Sequence, residues 1–236
     1  FDYKLFSYWR STSSWRVRLA MALKGLEYSQ EAIDLSKLVG NTTHMSAFHG
    51  DFVKESNPMA QVPLLECTTS TDPNNKFCIS QSLAIISFLE DNHKDKYLVY
   101  PRDAMIKARA LEIAEIINSG IQPIQNLGLM RSIKTATLIS DDESADAETV
   151  DGRGVAKNSI IKGLAVVEEK VIQAQAAGKG PYAAGTFSPS IADICIVPQL
   201  YNANRFGVDL SAFPALAAVD ALCMNLPAFI AAHPDK

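Results

Sequence analysis

Cysteine is scarce and scattered: Cys67, Cys78, Cys195 and Cys223 form no C-x-x-C pair. That argues against a zinc site or a dithiol redox centre, and for reduced thiols in a cytoplasmic compartment. Histidine is as sparse. His44, His49, His93 and His233 share no metal-ligand spacing and read as surface residues. Neither sign of charge dominates: 22 basic against 26 acidic residues leave a net charge of −4, too weak a field to draw nucleic acid or an anionic membrane. No apolar run approaches the roughly 18 residues that span a bilayer, and the opening FDYKLFSYW is too short and too acidic for a secretion signal. No internal repeat is visible. What remains is a 236-residue chain, 47% hydrophobic and 20% charged, long enough for one large or two modest globular domains.

Periodicity divides the chain. Tyr3–Ser7 reads as a short strand, Trp15–Lys24 as a helix covered on more than one side and ended by Gly25, and Leu26–Ile33 as a second strand. A polar loop with a short helix is expected over 34–52. A turn follows, then a strand entered through Val62-Pro63, a polar loop TTSTDPNN, and a strand over Lys76–Ile79. Ser80 is expected to cap a helix running to about Asn92, with Leu83, Ile86 and Leu89 at helical spacing. The first domain, 1–94, is therefore β-α-β-(loop/helix)-β-β-α. Beyond a charged stretch ending in Pro101 the chain shows only helical patterns, over Arg102–Asn118, Asn158–Ala177, Ser190–Phe206 and Leu216–Ala232. These make 102–236 an all-α second domain. The acidic segment 140–154 reads as a surface loop.

Five places could carry chemistry. RSTSSWRVR (10–18) sets four hydroxyls between a strand and a helix, where free N–H groups and the helix dipole favour an anion such as a thiolate. A plain N-cap by Ser13 or Ser14 explains the same letters. A cis Val62-Pro63 bond would turn the Val62 N–H and C=O outward toward an extended peptide-like ligand, whereas an edge-strand proline would not. Gln81 and Ser82 stand in the first turn of a helix, able to receive a carboxylate or simply to cap. SPSIAD (188–193) is a capping box with Asp193 in place of the usual glutamate, and here the structural reading is preferred. Arg205, among apolar neighbours, either pairs with a carboxylate of the chain or receives one from a substrate.

The order of these features resembles the cytosolic glutathione transferases and, within them, the zeta class of maleylacetoacetate isomerases. SYWRSTSSWRVRLAMALKGLEY, NPMAQVPLLE, SQSLAIISFLE, NSGIQPIQNLG and ADICIVPQLYNANRFGVDLSAFP carry the likeness, which spans nearly the whole chain. The resemblance implies an α+β thioredoxin-like glutathione-binding domain, an all-α domain carrying the substrate pocket, and a homodimer. It implies glutathione as cofactor and a small dicarboxylic or electrophilic substrate. The implied reaction is glutathione-dependent cis-trans isomerisation of maleylacetoacetate to fumarylacetoacetate, in tyrosine and phenylalanine breakdown. Conjugation, α-halo acid dehalogenation and non-catalytic glutathione binding on the same fold are the alternatives. It assigns Ser11 to the glutathione thiolate and Thr12 to the family's second serine. Ser13 falls where the family motif has cysteine. Val62, with Pro63, is assigned to the cysteinyl backbone, and Gln81 with Ser82 to the γ-glutamyl carboxylate. Gln122 and Asn126 are implied as further glutathione contacts, His49 as a contact to the glycyl end, and Arg205 as the receiver of the substrate carboxylate.

Overall fold

A computed structural model describes residues 1–33, 56–59, 61–130, 132–133 and 151–236. The expected loop over 34–52, with His44 and His49, lies outside them. So does most of 140–154. The chain forms two compact units, one of Phe1–Val99 with Met224–Lys236, the other of Tyr100–Cys223.

In the first unit β1 (Asp2–Ser7), α1 (Thr12–Lys24), β2 (Ser29–Ala32), β3 (Leu64–Thr69), β4 (Asp72–Ser80) and α2 (Ser82–Asn92) follow one another. The sheet order is β2-β1-β3-β4, with β1 and β2 parallel and the other pairs antiparallel. This is the expected α+β order, with one extension. TTSTDPNN is not a loop: β4 begins at Asp72 and pairs with β3 in a hairpin. The polar residues are tolerated because β4 is an edge strand, and Pro73 needs no ladder partner there.

α1 is buried along its length, as its nearly uniform apolar pattern requires. It packs against α2 and against α7 (Pro227–Ala231), a short helix at the C-terminus of the chain. Its three cations are each answered by oxygen. Arg18 donates to Ser7 Oγ at 2.9 Å, to the Trp9 carbonyl at 3.0 Å and to the Ala232 carbonyl at 3.4 Å. Lys24 pairs with Glu90 at 2.7 Å and donates to the Tyr97 carbonyl at 2.8 Å. Arg16 reaches Ser82 Oγ. Gly25, at φ 61°, ends the helix as expected, its N–H bonded to the Ala22 carbonyl and that of Leu26 to the Met21 carbonyl.

The regular elements described in the second unit are all helical: α3 (Ala104–Glu115), a π-helical segment Ile116–Ile121, α4 (Gly152–Gly178), α5 (Ile191–Arg205), a 3₁₀ turn Leu210–Ala212 and α6 (Pro214–Cys223). α3 starts at an Asp103 cap that accepts from the N–H groups of Met105 and Ile106, each at 2.9 Å. α4 begins inside the segment read as an acidic loop, capped by Asp151. α6 is capped from afar, Glu168 of α4 accepting from the N–H groups of Ala215 and Leu216 at 2.8 and 2.9 Å.

The single helix expected over Leu216–Ala232 is two, α6 and α7, because Pro227 cannot continue a helix and opens the next one instead. With that break, Met224–Lys236 pack into the first unit rather than extending the helical domain to residue 236.

Candidate active site

Helix α1 starts earlier than a cap at Ser13 or Ser14 would allow. Ser11 is the N-cap: its backbone is extended (φ −69°, ψ 118°), its carbonyl accepts from Trp15 N–H at 2.9 Å, and its Oγ accepts from Ser14 N–H at 3.2 Å. Thr12, Ser13 and Ser14 therefore lie within the first turn, Thr12 and Ser14 buried and Ser13 half-buried. The cap and the anion-stabilising roles weighed for this loop do not compete. A hydroxyl has acceptor lone pairs and one proton, so Ser11 can hold the helix and still donate outward. No acidic residue stands in the first turn of α1 to neutralise its positive end.

The Val62-Pro63 peptide is cis. Val62 lies just outside the strand ladder, whose first pair is Leu64 with Phe6.

Helix α2 starts one residue later than expected. Its N-cap is Gln81, not Ser80, and Gln81 makes no side-chain cap bond. The Gln81 backbone sits at φ 72°, ψ 118°. A non-glycine residue there costs about 1–3 kcal/mol and persists only where its surroundings impose it. Its Nε2 lies 3.6 Å from Met59 Sδ. The first helical hydrogen bond runs from Ile85 N–H to the Gln81 carbonyl at 2.9 Å. The N–H groups of Ser82, Leu83 and Ala84 thus have no acceptor within the helix. Again no acid occupies the first turn. Ser82 is buried, and its Oγ accepts from Arg16 Nη1 at 3.4 Å.

In the second unit, Gln122 ends the π-helical segment, a rare geometry that recurs at functional sites. Asn126 is exposed and holds a local turn, its Oδ1 accepting from Gly128 N–H at 2.8 Å. Between them Gln125 is buried and forms a reciprocal amide pair with Gln199 of α5, at 2.9 and 3.0 Å. Sequence reasoning missed this clamp, because nothing links two glutamines so far apart in the chain. Arg205 is exposed at the C-terminal end of α5, with Nη1 at 3.2 Å from Asn202 Oδ1. Its carbonyl accepts from the Arg153 guanidinium.

Three of the chain's four thiols are poor nucleophiles. Burial pushes Cys67 up to about 12 and also raises Cys78 and Cys223, so they stay protonated. Two histidines are not the surface residues expected. His93 is half-buried with Nε2 2.8 Å from the Tyr3 hydroxyl, and the His233 ring packs edge-on against Trp15. Among the described residues no cluster of His, Cys, Asp or Glu could hold a metal ion.

Residues 10–92 match the family model described as glutathione S-transferase, N-terminal domain. A probable maleylacetoacetate isomerase of Caenorhabditis elegans is 38% identical over 98% of this chain and 93% of its own length. The chain belongs to the zeta-class glutathione transferases, the maleylacetoacetate isomerase family. A maleylacetoacetate isomerase from Anaeromyxobacter dehalogenans, solved with glutathione bound in its active site, superposes with a TM-score of 0.80 at 38% identity, covering 99% of this chain and 95% of that one. The same bacterial enzyme, solved with dicarboxyethyl glutathione and citrate in the active site, gives 0.78 at 36% identity, covering 99% and 91%. The thioredoxin-like sheet followed by a helical unit is thus the glutathione transferase fold. His49 lies outside the described residues.

Proposed function

We propose that the chain is a glutathione-dependent maleylacetoacetate isomerase. The observation that carries the choice of glutathione is that α1 and α2 each begin with hydroxyl groups and no acidic residue in the first turn. Two positive helix ends in one unit fit a ligand with two anionic groups, a thiolate and a carboxylate. Its full-length likeness to isomerases, one of them holding a dicarboxyethyl adduct of glutathione, favours a dicarboxylate substrate.

When bound, glutathione supplies the thiolate that adds to the cis double bond of the substrate and leaves once the bond has rotated. The chain's residues prepare for that. Ser11 donates its hydroxyl proton toward the sulfur, and with the α1 N-terminus it lowers the thiol pKa from its usual value near 8.5. The Val62 N–H and C=O, beside Pro63, pair with the cysteinyl backbone. Gln81 and Ser82, with the free N–H groups of α2, take the γ-glutamyl carboxylate. Gln122 and Asn126 add contacts from the π-helical turn, and the Arg205 guanidinium takes a substrate carboxylate. Thr12 and Ser13 complete the hydroxyl loop, Ser13 without the nucleophilic sulfur of the family motif.

We further read the molecule as a cytoplasmic homodimer. A groove of about 560 Å³ lined by Ile116, Ile121, Val155 and Val166 leaves apolar surface in need of cover, and sedimentation equilibrium should return twice the chain mass. Among the described residues no helix is long and apolar enough to cross a membrane.

The test is isomerisation of maleylacetone, a surrogate substrate, by the purified chain with glutathione. Catalysis well above glutathione alone is expected, and Ser11→Ala should cut kcat/KM on the order of 10²-fold. A rate no better than free glutathione, alongside turnover of a small α-halo acid, would favour the transferase reading instead.

A further inference from the structure

We infer that Arg153, with Lys157 behind it, takes the second carboxylate of a dicarboxylate ligand and so sets a preference for dicarboxylates over monocarboxylates. The inference deepens the proposed function and rests on its reading of Arg205 as the receiver of one carboxylate. Arg153 is exposed in the first turn of α4 and reaches the end of α5. Its guanidinium donates to the Arg205 carbonyl and lies over the Phe206 ring, 5.0 Å from the centroid. Lys157, one turn further along α4, comes to the same place, its Nζ 3.9 Å from where a Cβ on Gly207 would stand. The start of α4 also meets the turn that holds Asn126. A Cβ on Gly152 would stand 2.7 Å from the Met130 carbonyl oxygen, and the Met130 N–H bonds to the Asn126 carbonyl at 3.0 Å. Arg153, Lys157 and Arg205 thus gather around residues 205–207 of the helical unit.

Without a ligand this grouping is electrostatically unfavourable. The negative end of α5 answers a cation beside its last carbonyl, which accounts for one of the three. Arg153 and Lys157, however, stand in the first two turns of their own helix, where the dipole is positive and like charges four residues apart repel. No acid in that first turn offsets them. Asp151, the nearest in sequence, turns to the backbone and accepts from the Arg153 N–H at 3.0 Å, and Asp209 accepts from the Ser211 N–H at 2.9 Å. Among the described residues the Arg205 side chain has the Asn202 oxygen as its partner, and none of the three cations pairs with an acid. A guanidinium carries several N–H donors, of which Arg153 commits one side to the Arg205 carbonyl. The rest match a carboxylate in planar, two-point contact. Two guanidiniums joined through one carbonyl suit a ligand with a carboxylate for each. A ligand with a single carboxylate leaves one of them unanswered.

The experiment is calorimetric titration with glutathione, with its S-carboxyethyl thioether and with its S-dicarboxyethyl thioether, which add no, one and two carboxylates at the sulfur. The wild-type chain should bind the dicarboxyethyl adduct about 10-fold more tightly than the carboxyethyl adduct. Arg153→Gln should bring that ratio within about 2-fold, while changing affinity for glutathione and the carboxyethyl adduct less than about 2-fold. Arg153→Lys should keep part of the ratio, since charge survives without the planar fork. Arg205→Gln should instead weaken both adducts. Lys157→Gln should lower the ratio about 3-fold through the lost field, so the inference is decided even if Arg153→Gln does not fold. A side chain that only capped α5 would move all three ligands together or none. An undiminished ratio in Arg153→Gln, or in Lys157→Gln should the first variant not fold, would overturn the inference. So would equal weakening of all three ligands by Arg153→Gln, or a wild-type chain with no preference between the adducts. In each of these cases glutathione binding leaves the proposed site standing. A folded wild-type chain that binds none of the three would overturn the glutathione site and the inference with it.

Discussion

Helices α2 and α5 meet the same problem at their N-termini and solve it in opposite ways. At α5, Ser190 Oγ accepts from Ala192 N–H at 3.3 Å. Asp193 accepts from Ser190 N–H at 2.7 Å, from Ser190 Oγ at 2.9 Å and from Ala183 N–H at 2.9 Å. Serine and aspartate are both buried, and the box is closed by the chain itself. At α2 there is a buried serine too, but no acid, a cap residue that makes no cap bond, and a buried cation where α5 has a buried anion. A helix start completed by its own carboxylate is structure. One without an acid of its own leaves its first N–H groups with no acceptor inside the helix.

The largest effect should come from opening the closed box. Asp193→Ala leaves the Ala183 and Ser190 N–H groups buried without acceptors, at a cost of about 3 kcal/mol or more. Burial raises the Asp193 pKa, and the hydrogen bonds from Ala183 and Ser190 pull against it. Urea denaturation measures the loss, and a change below about 1 kcal/mol would dissolve the contrast with α2.

A smaller effect is expected at the open start. Gln81→Gly removes the side chain from a positive-φ position, so the ligand-free protein should gain about 1 kcal/mol while glutathione binding weakens. Destabilisation instead would mean that Gln81 serves the fold.

The smallest effect lies at the other end of α2, where His93 is the C-cap residue. Burial, and then the charge of Lys24, lower its pKa below the ordinary 6.5. The Tyr3 hydroxyl, its own pKa pushed up to about 12, remains a donor to neutral Nε2. A base depressed in the folded state contributes stability above its unfolded pKa that is lost as pH falls through the folded one. Urea midpoints at pH 7.5 and 5 should therefore fall less in His93→Gln than in the wild type. Parallel falls would place the acid sensitivity elsewhere.

Much of this was legible from local pattern. Gly25 ends α1 because its φ of 61° suits glycine, and Ser190 with Asp193 can be read as a box because its parts lie three residues apart. Short-range chemistry leaves short-range marks. The hairpin extension of β4 was not legible, since Asp72–Asn75 are poor strand formers that only an edge position accommodates. Nor was the Ser11 cap, because four adjacent hydroxyls offer the same chemistry and only the backbone chooses among them.

The sequence by itself determined the element order, the closed start of α5 and the hydroxyl loop ahead of α1, each written in residues a few positions apart. Tertiary structure decided what those hydroxyls and cations face. Arg16 meets Ser82 across 66 residues, Gln125 meets Gln199 across 74, and Arg18 reaches the Ala232 carbonyl across 214. Such contacts follow from how α1 packs on α2 and α7, and how the π-helical turn meets α5. Packing is set by the sum of apolar surfaces, which no single motif records.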